Sequence, residues 1–312
     1  MESEREPSFS IVIATCDRPR QLAECLAALT GLDYPRDRFE VVVVDDGSRM
    51  ALDAVVAPYR DRLDVTLLSQ ANAGPAAARN SGAARAKGAF LAFTDDDCAP
   101  SPDWLGAFAA RVRTAPGGMI GGHTINGLPR NAFSTTSQLL VDYLYDYYNA
   151  DPAGARFFAS NNMALPADRF RAIGGFDTRY IRAAAEDREL CDRWLQMGYS
   201  MVHAPEAVVY HRHRLGPRSF WRQHYNYGRG APAYHRARAA RGQRFKIEPL
   251  PFYVRLLRFP WTRTRGRRAL GLALLLVITQ VANTAGFLAA WVRPDADRRA
   301  KAVASPTSEA GQ

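Results

Sequence analysis

Phe90-Leu91-Ala92-Phe93-Thr94-Asp95-Asp96-Asp97-Cys98 is a short apolar run that breaks onto three consecutive carboxylates. Upstream lie three more runs of the same kind: Phe9-Ser10-Ile11-Val12-Ile13-Ala14, Glu40-Val41-Val42-Val43-Val44 and Val65-Thr66-Leu67-Leu68. Their length and β-branched content read as strands buried on both faces. Between them, residues 20–29, 52–59 and 75–87 have helical composition and length. Strand–helix alternation predicts βαβ units, hence an α/β fold with a mostly parallel, Rossmann-like sheet flanked by helices.

In open α/β sheets ligands collect beyond the carboxyl ends of the strands, so the residues that follow each run matter most. The first run leads into Thr15-Cys16-Asp17-Arg18-Pro19, the second into Asp45-Asp46-Gly47-Ser48, the fourth into Asp95-Asp96-Asp97. An Asp at a strand end often does no more than cap the next turn. Three such ends on one edge, one with three adjacent acids, are costly unless a cation shares the charge. Neither GxxxxGK[ST] nor a GxGxxG after a strand is present, so a bound diphosphate would need a metal and basic side chains. Arg79, in Gly74-Pro75-Ala76-Ala77-Ala78-Arg79-Asn80-Ser81-Gly82, is a candidate; an exposed helix arginine is the plainer alternative.

The chain has 312 residues and 47% hydrophobic content, enough for a large domain with an appendage. Its four cysteines, Cys16, Cys25, Cys98 and Cys191, lack CxxC spacing, which points to a reducing compartment rather than a disulfide framework or zinc ribbon. The polar, acidic Met1–Glu6 is not a secretory signal, so the body of the chain is expected in the cytoplasm. The net charge of +10 is uneven: residues 1–210 hold 21 Lys and Arg against 27 Asp and Glu, residues 211–312 hold 20 against 4. A nucleic acid, an anionic membrane or a diphosphate-bearing lipid would each suit such a basic third.

Taken in order, Ile11-Val12-Ile13-Ala14-Thr15-Cys16-Asp17-Arg18-Pro19, the Val41–Ser48 stretch, Asn72–Gly82 with Arg79, and Phe93-Thr94-Asp95-Asp96-Asp97 resemble family 2 glycosyltransferases of the GT-A fold. The resemblance runs from about residue 8 to 230. It implies that Thr15 and Asp17 lie along a nucleotide, that Asp46 with Asp45 contacts base or ribose, and that Arg79 and Asp96 belong to the donor site. It makes Asp95 and Asp97 the DxD pair that holds a divalent cation, Mn²⁺ or Mg²⁺, with His211 as a further ligand. Hard carboxylate oxygens suit either ion. Glu186-Asp187 matches the family's Glu-Asp pair, with Asp187 as catalytic base and Glu186 supporting it; the spacing of Leu190, Trp194 and Met197 puts both near a helix N-terminus. Asn162, in Ser160-Asn161-Asn162-Met163, either bonds a sugar hydroxyl or satisfies a backbone bend. Gly174-Gly175 reads as a tight turn. Ser219–Gly230 resembles an aromatic, basic closing helix but lacks the QxxRW form; Trp221 and Tyr225 suit core contacts, Arg222 and Arg229 phosphate contacts.

Residues 269–292 carry no charge and are flanked by arginines, a length that can span a bilayer. Thr279, Gln280, Asn283 and Thr284 gather into a polar stripe, which would face a partner helix, the headgroups, or a dimer. The organisation expected is a catalytic unit over 1–215, an acceptor-side helical region over 216–268, a membrane-associated helix over 269–292 and a disordered polar tail over 293–312. The resemblance implies inverting transfer of a sugar from a nucleoside diphosphate donor, a UDP sugar foremost, to a lipid-linked or envelope glycan hydroxyl at the cytoplasmic membrane surface. A sugar-nucleotide pyrophosphorylase would carry a Gly-rich basic loop after the first strand, which Thr15–Pro19 is not. A membrane-tethered module that binds sugar nucleotide without turnover is the non-enzymatic alternative, and a nucleic-acid partner would leave the acids unexplained.

Overall fold

The computed structural model describes residues 6–151, 154–180, 185–245 and 247–292. Its first half is the expected alternation: β1 (Phe9–Thr15), α1 (Pro19–Leu29), β2 (Phe39–Asp46), the short α2 (Asp53–Val56), β3 (Val65–Gln70), α3 (Pro75–Arg85) and β4 (Phe90–Asp95). These four strands are parallel and ordered β3-β2-β1-β4. Successive side chains of a strand face opposite ways, and both faces here are covered. Ile11, Ile13, Val41 and Val43 pack with Leu22, Leu26 and Leu29 of α1, whereas Val42 and Val44 meet Ala78 of α3. Each such aliphatic side chain contributes roughly 1.5–3 kcal/mol relative to exposure. The register pairs Thr15 with Asp45 and Ala14 with Asp95, so the polar strand ends share one edge.

The second half is mixed. After β5 (Cys98–Pro100), α4 (Trp104–Thr114), β6 (Met119–Asn126) and α5 (Ala132–Tyr148) come β7 (Asn162–Pro166), α6 (Ala167–Ala172), α7 (Glu186–Gln196) and β8 (Met201–His211). The eight-stranded order is β3-β2-β1-β4-β7-β6-β8-β5, with β7 antiparallel to both neighbours and β5 antiparallel to β8. Between Gly122 and His123 the register with β8 jumps from Ala204 to Val208. Asn162 fills that break. Its amide donates to the His123 and Ala207 carbonyls at 3.0 and 2.9 Å and its oxygen accepts from Trp104 Nε1 at 2.8 Å. Asn162 is fully buried with both ends of its amide engaged, which corrects its assignment to the donor: it satisfies the bend.

Four helices complete the chain: α8 (Pro217–Ala240), α9 (Leu250–Arg258), α10 (Pro260–Arg263) and α11 (Gly266–Val292). Leu139, Leu140 and Tyr143 of α5 pack with Phe252 and Leu256 of α9 and Leu272 and Leu276 of α11. The backbones of α8 and α11 touch: a methyl group at Gly228 would fall 1.9 Å from the Asn283 carbonyl oxygen, and one at Gly286 would fall 1.9 Å from that of Tyr225. The buried face of α8 is Phe220, His224 and Gly228, so Trp221, expected in the core, is instead exposed, as is Arg222. Residues 293–312, expected to be a disordered tail, lie outside the described residues.

Candidate active site

The strand ends are braced first by one another. The Asp46 carboxylate accepts from Gln70 Nε2 and the Ala73 and Gly74 amides, all at 2.8 Å, and Asp45 accepts from the Ser48 amide at 2.9 Å. Both are buried, and both hold loops. The turn-capping alternative accounts for these bonds of Asp45 and Asp46. Asp17 sits on the open side at φ +55°, its carboxylate bonded to Arg49 Nε at 2.9 Å.

The triple-acid turn divides its carboxylates three ways. Asp95 accepts from Arg79 at 2.7 Å. Asp96 points inward, accepting from Thr15 Oγ1 at 2.7 Å and Arg18 at 2.8 Å, and burial raises it to about 6. Thr15 is thereby committed to the turn. Asp97 faces His211 Nε2 at 3.2 Å and Arg18 at 3.1 Å. Burial would raise Asp97, but the His211 hydrogen bond and charge, with Arg18, outweigh it and hold the group below the carboxylate range. The same pair raises His211 against its own burial. His213 stacks on His211 with ring centres 5.1 Å apart and is lowered to about 4 by burial and that neighbour.

Asp97, Cys98 and His211 each offer a ligand atom within 4.8 Å of the others. A carboxylate and an imidazole fit a divalent Mn²⁺ or Mg²⁺; the Cys98 thiol, raised well above its ordinary value by burial, is a poor donor to so hard an ion. Of the expected Asp95, Asp97 and His211, the last two belong to this group, and Asp95 is bonded to Arg79.

Arg79 is where the two acidic sites meet. It is buried, not an exposed helix residue, and its guanidinium bridges Asp95 at 2.7 Å and Glu186 at 3.3 Å while lying over Phe176. Glu186 and Asp187 open α7, preceded by Ala185 at φ +69°, a left-handed conformation that costs a non-glycine residue of order 1 kcal/mol or more. Asp187 accepts from the Arg188 amide at 2.7 Å and from the Ser160 amide. Burial raises its pKa over those donors and the charge of Arg79.

Asp95, Arg79, Glu186, Asp187, His211 and His213 line one cavity of about 1150 Å³. Thr15, Asp17, Asp45, Asp46 and Asp97 are not part of its wall. It runs between α5, α7, α8, α9 and α11, past Gln223 and Tyr227 to Phe252, Tyr253 and Phe287. Gln280, Asn283 and Thr284 also line it, so most of the polar stripe of α11 faces the cavity, and Thr279 bonds the Leu276 carbonyl of its own helix at 2.7 Å. Arg229 lies over Tyr225, and neither it nor Arg222 lines this space. The wall residues Asn161, Tyr148, Arg188 and Gln223 were not singled out from the sequence. Asn161 adjoins Asn162 in the same dipeptide, and only the bend at β7 tells them apart.

The model of the family described as Glycosyl transferase family 2 matches residues 10–174. The chain belongs to this family. Glycosyltransferase AglE of Haloferax volcanii is 26% identical over 66% of this chain and 67% of its own length. Validoxylamine A glucosyltransferase of Streptomyces hygroscopicus subsp. jinggangensis is 30% identical over 64% of this chain and 54% of its own length, and hyaluronan synthase of Pasteurella multocida 37% identical over 67% and 25%. The chain thus spans about half of the second relative and a quarter of the third. Among solved structures, a mannosyltransferase from Pyrobaculum calidifontis in complex with GDP-Man and Mn²⁺ superimposes with a TM-score of 0.60 at 22% identity, covering 96% of this chain and 81% of that one. Staphylococcus aureus TarS 1-349 in complex with UDP-GlcNAc gives 0.51 at 18%, covering 94% and 92%. The protein is a family 2 glycosyltransferase with a GT-A fold.

Proposed function

We propose that this glycosyltransferase moves a sugar from a nucleoside diphosphate donor to an acceptor hydroxyl with inversion at the anomeric carbon. The observation that carries the reading is that Asp187, a half-buried carboxylate with a raised pKa, shares one cavity with Asp95 and His211 at the strand ends. Asp187 takes the proton of the acceptor hydroxyl as its oxygen bonds the anomeric carbon. The bond from that carbon to the diphosphate breaks, and its electron pair leaves with the diphosphate. One base opposite one leaving group gives a single displacement and so inversion. Asp97 and His211, with Asp95 beside them, would hold a divalent cation, Mn²⁺ or Mg²⁺, which when bound neutralises charge on the diphosphate. Arg79 fixes Asp95 and Glu186 relative to each other.

Relatives in solved structures hold GDP-Man and UDP-GlcNAc, which supports a nucleotide-sugar donor; a UDP sugar is the first to test. The long cavity, polar at the carboxylates and aromatic at Phe252 and Phe287, suits an acceptor with a hydroxyl at one end and an apolar part at the other, as in a lipid-linked glycan. An apolar α11 and a basic C-terminal third support a reading in which the work is done at a membrane surface, the cytoplasmic face being the expected one, with anionic lipid rather than nucleic acid as the partner surface. The test is a panel of UDP and GDP sugars screened for Mn²⁺-dependent thermal stabilisation, which follows donor binding by mass action. The stabilising donor is then given lipid-linked and free-glycan acceptors, and the anomeric configuration of the product is read by NMR. Retention of configuration, or turnover that survives Asp187→Asn, overturns the mechanism. Donor binding with neither transfer nor hydrolysis leaves a binding module instead.

A further inference from the structure

The 27 residues of α11, about 40 Å of helix, are long and apolar enough to cross a membrane. Their surroundings differ by face. Ala269, Leu272, Leu276, Thr279, Ala282 and Gly286 are buried, over about 25 Å of the helix, and α11 packs against α5, α8, α9 and α10 of the same chain. The glycine contacts lock that face to the backbone of α8. A helix that crossed the hydrocarbon would take α8 and the wall of the catalytic cavity into the lipid with it, and α8 carries Arg218, Arg222, Arg229 and Arg236.

The other face is open. Leu270, Leu274, Val277, Ile278, Val281 and Leu288 are exposed, and at 3.6 residues per turn they fall within an arc of about 100°. Exposed Leu250 and Val254 of α9 and exposed Trp261 of α10 belong to the same C-terminal helical layer. Arg255, Arg258, Arg263, Arg265, Arg267 and Arg268, all exposed, are interleaved with these apolar residues in the chain. An apolar stripe beside a basic border is the composition of a helix that lies in the headgroup region of an anionic bilayer.

We propose that α9 and α11 dock the protein in the plane of an anionic bilayer surface, with α11 lying along the interface and not across it. This rests on the membrane-side reading above and adds its geometry. A second copy of the chain fits the face poorly, because pairing it with itself would bring two sets of six arginines together. Gln280, Thr284 and Phe287 occupy the flank of α11 between its buried and exposed faces and line the cavity. In-plane docking therefore sets the apolar end of the cavity at the level of the lipid.

The test uses the full chain and vesicles of phosphatidylcholine alone or of equal parts phosphatidylcholine and phosphatidylglycerol. The protein is expected to float with the anionic vesicles, to be released by high salt, and to ignore the neutral ones. Leu274→Glu combined with Ile278→Glu is expected to cut the bound fraction by about tenfold or more while leaving donor-induced thermal stabilisation unchanged, which shows that the fold survives. Nitroxide labels at Leu270→Cys, Ile278→Cys and Leu288→Cys, in a Cys16→Ser background, are expected at equal, shallow depth. A depth that runs from headgroup to midplane along those three positions overturns the proposal in favour of a spanning helix. Absence of flotation, or a dimer in sedimentation that the two Glu substitutions abolish, overturns it as well. Flotation does not depend on turnover: in-plane binding without sugar transfer would remove the enzymatic reading alone, and transfer without flotation would remove the membrane-side reading and this one with it.

Discussion

Asp187 lines the cavity and Asp97 lies just behind its wall, against the cavity residue His211, yet the surroundings of these two carboxylates drive them in opposite directions. Asp97 has the His211 imidazole and the Arg18 guanidinium against it and is held ionised, while burial pushes Asp187 toward its protonated form against two backbone amides and the more distant Arg79. Two like residues kept apart in this way are suited to different work: the first to holding positive charge, the second to accepting a proton. Arg79 bridges a sequence neighbour of each, Asp95 and Glu186.

The sharpest way to break this comparison is to neutralise each acid in turn. Asp187→Asn should lower kcat by about 10³-fold, within the usual 10²–10⁴ for a general base, and keep Mn²⁺-dependent thermal stabilisation by the donor; loss of stabilisation would mean that Asp187 binds rather than reacts. Asp97→Asn should do the reverse, raising the Mn²⁺ concentration needed for half-maximal activity by about 10–100-fold and abolishing the donor-induced shift at low Mn²⁺. Arg79→Lys keeps the charge but cannot bridge Asp95 and Glu186, and should cost about tenfold in kcat/KM. Combined with Glu186→Gln it should show less than the sum of the two losses; strict additivity would mean that no bridge operates. The mildest effect is on pH. Because burial raises Asp187, the active carboxylate form is complete above that raised pKa and is lost as pH falls through it. The acid limb of kcat/KM should therefore lie above the ordinary carboxylate value of 3.8 and shift in Asp187→Glu while staying in place in Arg18→Lys.

The parallel half of the sheet was readable because its strands are short apolar runs, β2 and β4 ending on acids, a pattern that needs no tertiary information. Glu186-Asp187 at a helix start was readable from the spacing of Leu190 and Trp194, and both head α7. What was hidden depends on contacts distant in sequence. Asp46 and Asn162 look alike as ligand groups in the chain; that three protein donors bond the first and that the second fills a register break between β6 and β8 shows only in the fold. Cys98 gave no signal, since its place beside His211 comes from the antiparallel pairing of β5 with β8. Helical periodicity in α8 could not say which stripe was buried, because Gly228 marks the buried face and Trp221 does not.

The wall that α11 lends to the cavity changes how its last residues should be treated. Trimming the chain before Gly266 to obtain a more tractable protein would remove Gln280, Asn283 and Phe287 and expose the glycine seam of α8 to water. Such a shortened chain would lack one wall of the cavity, so hydrolysis of a donor by it would say little about what the intact molecule builds.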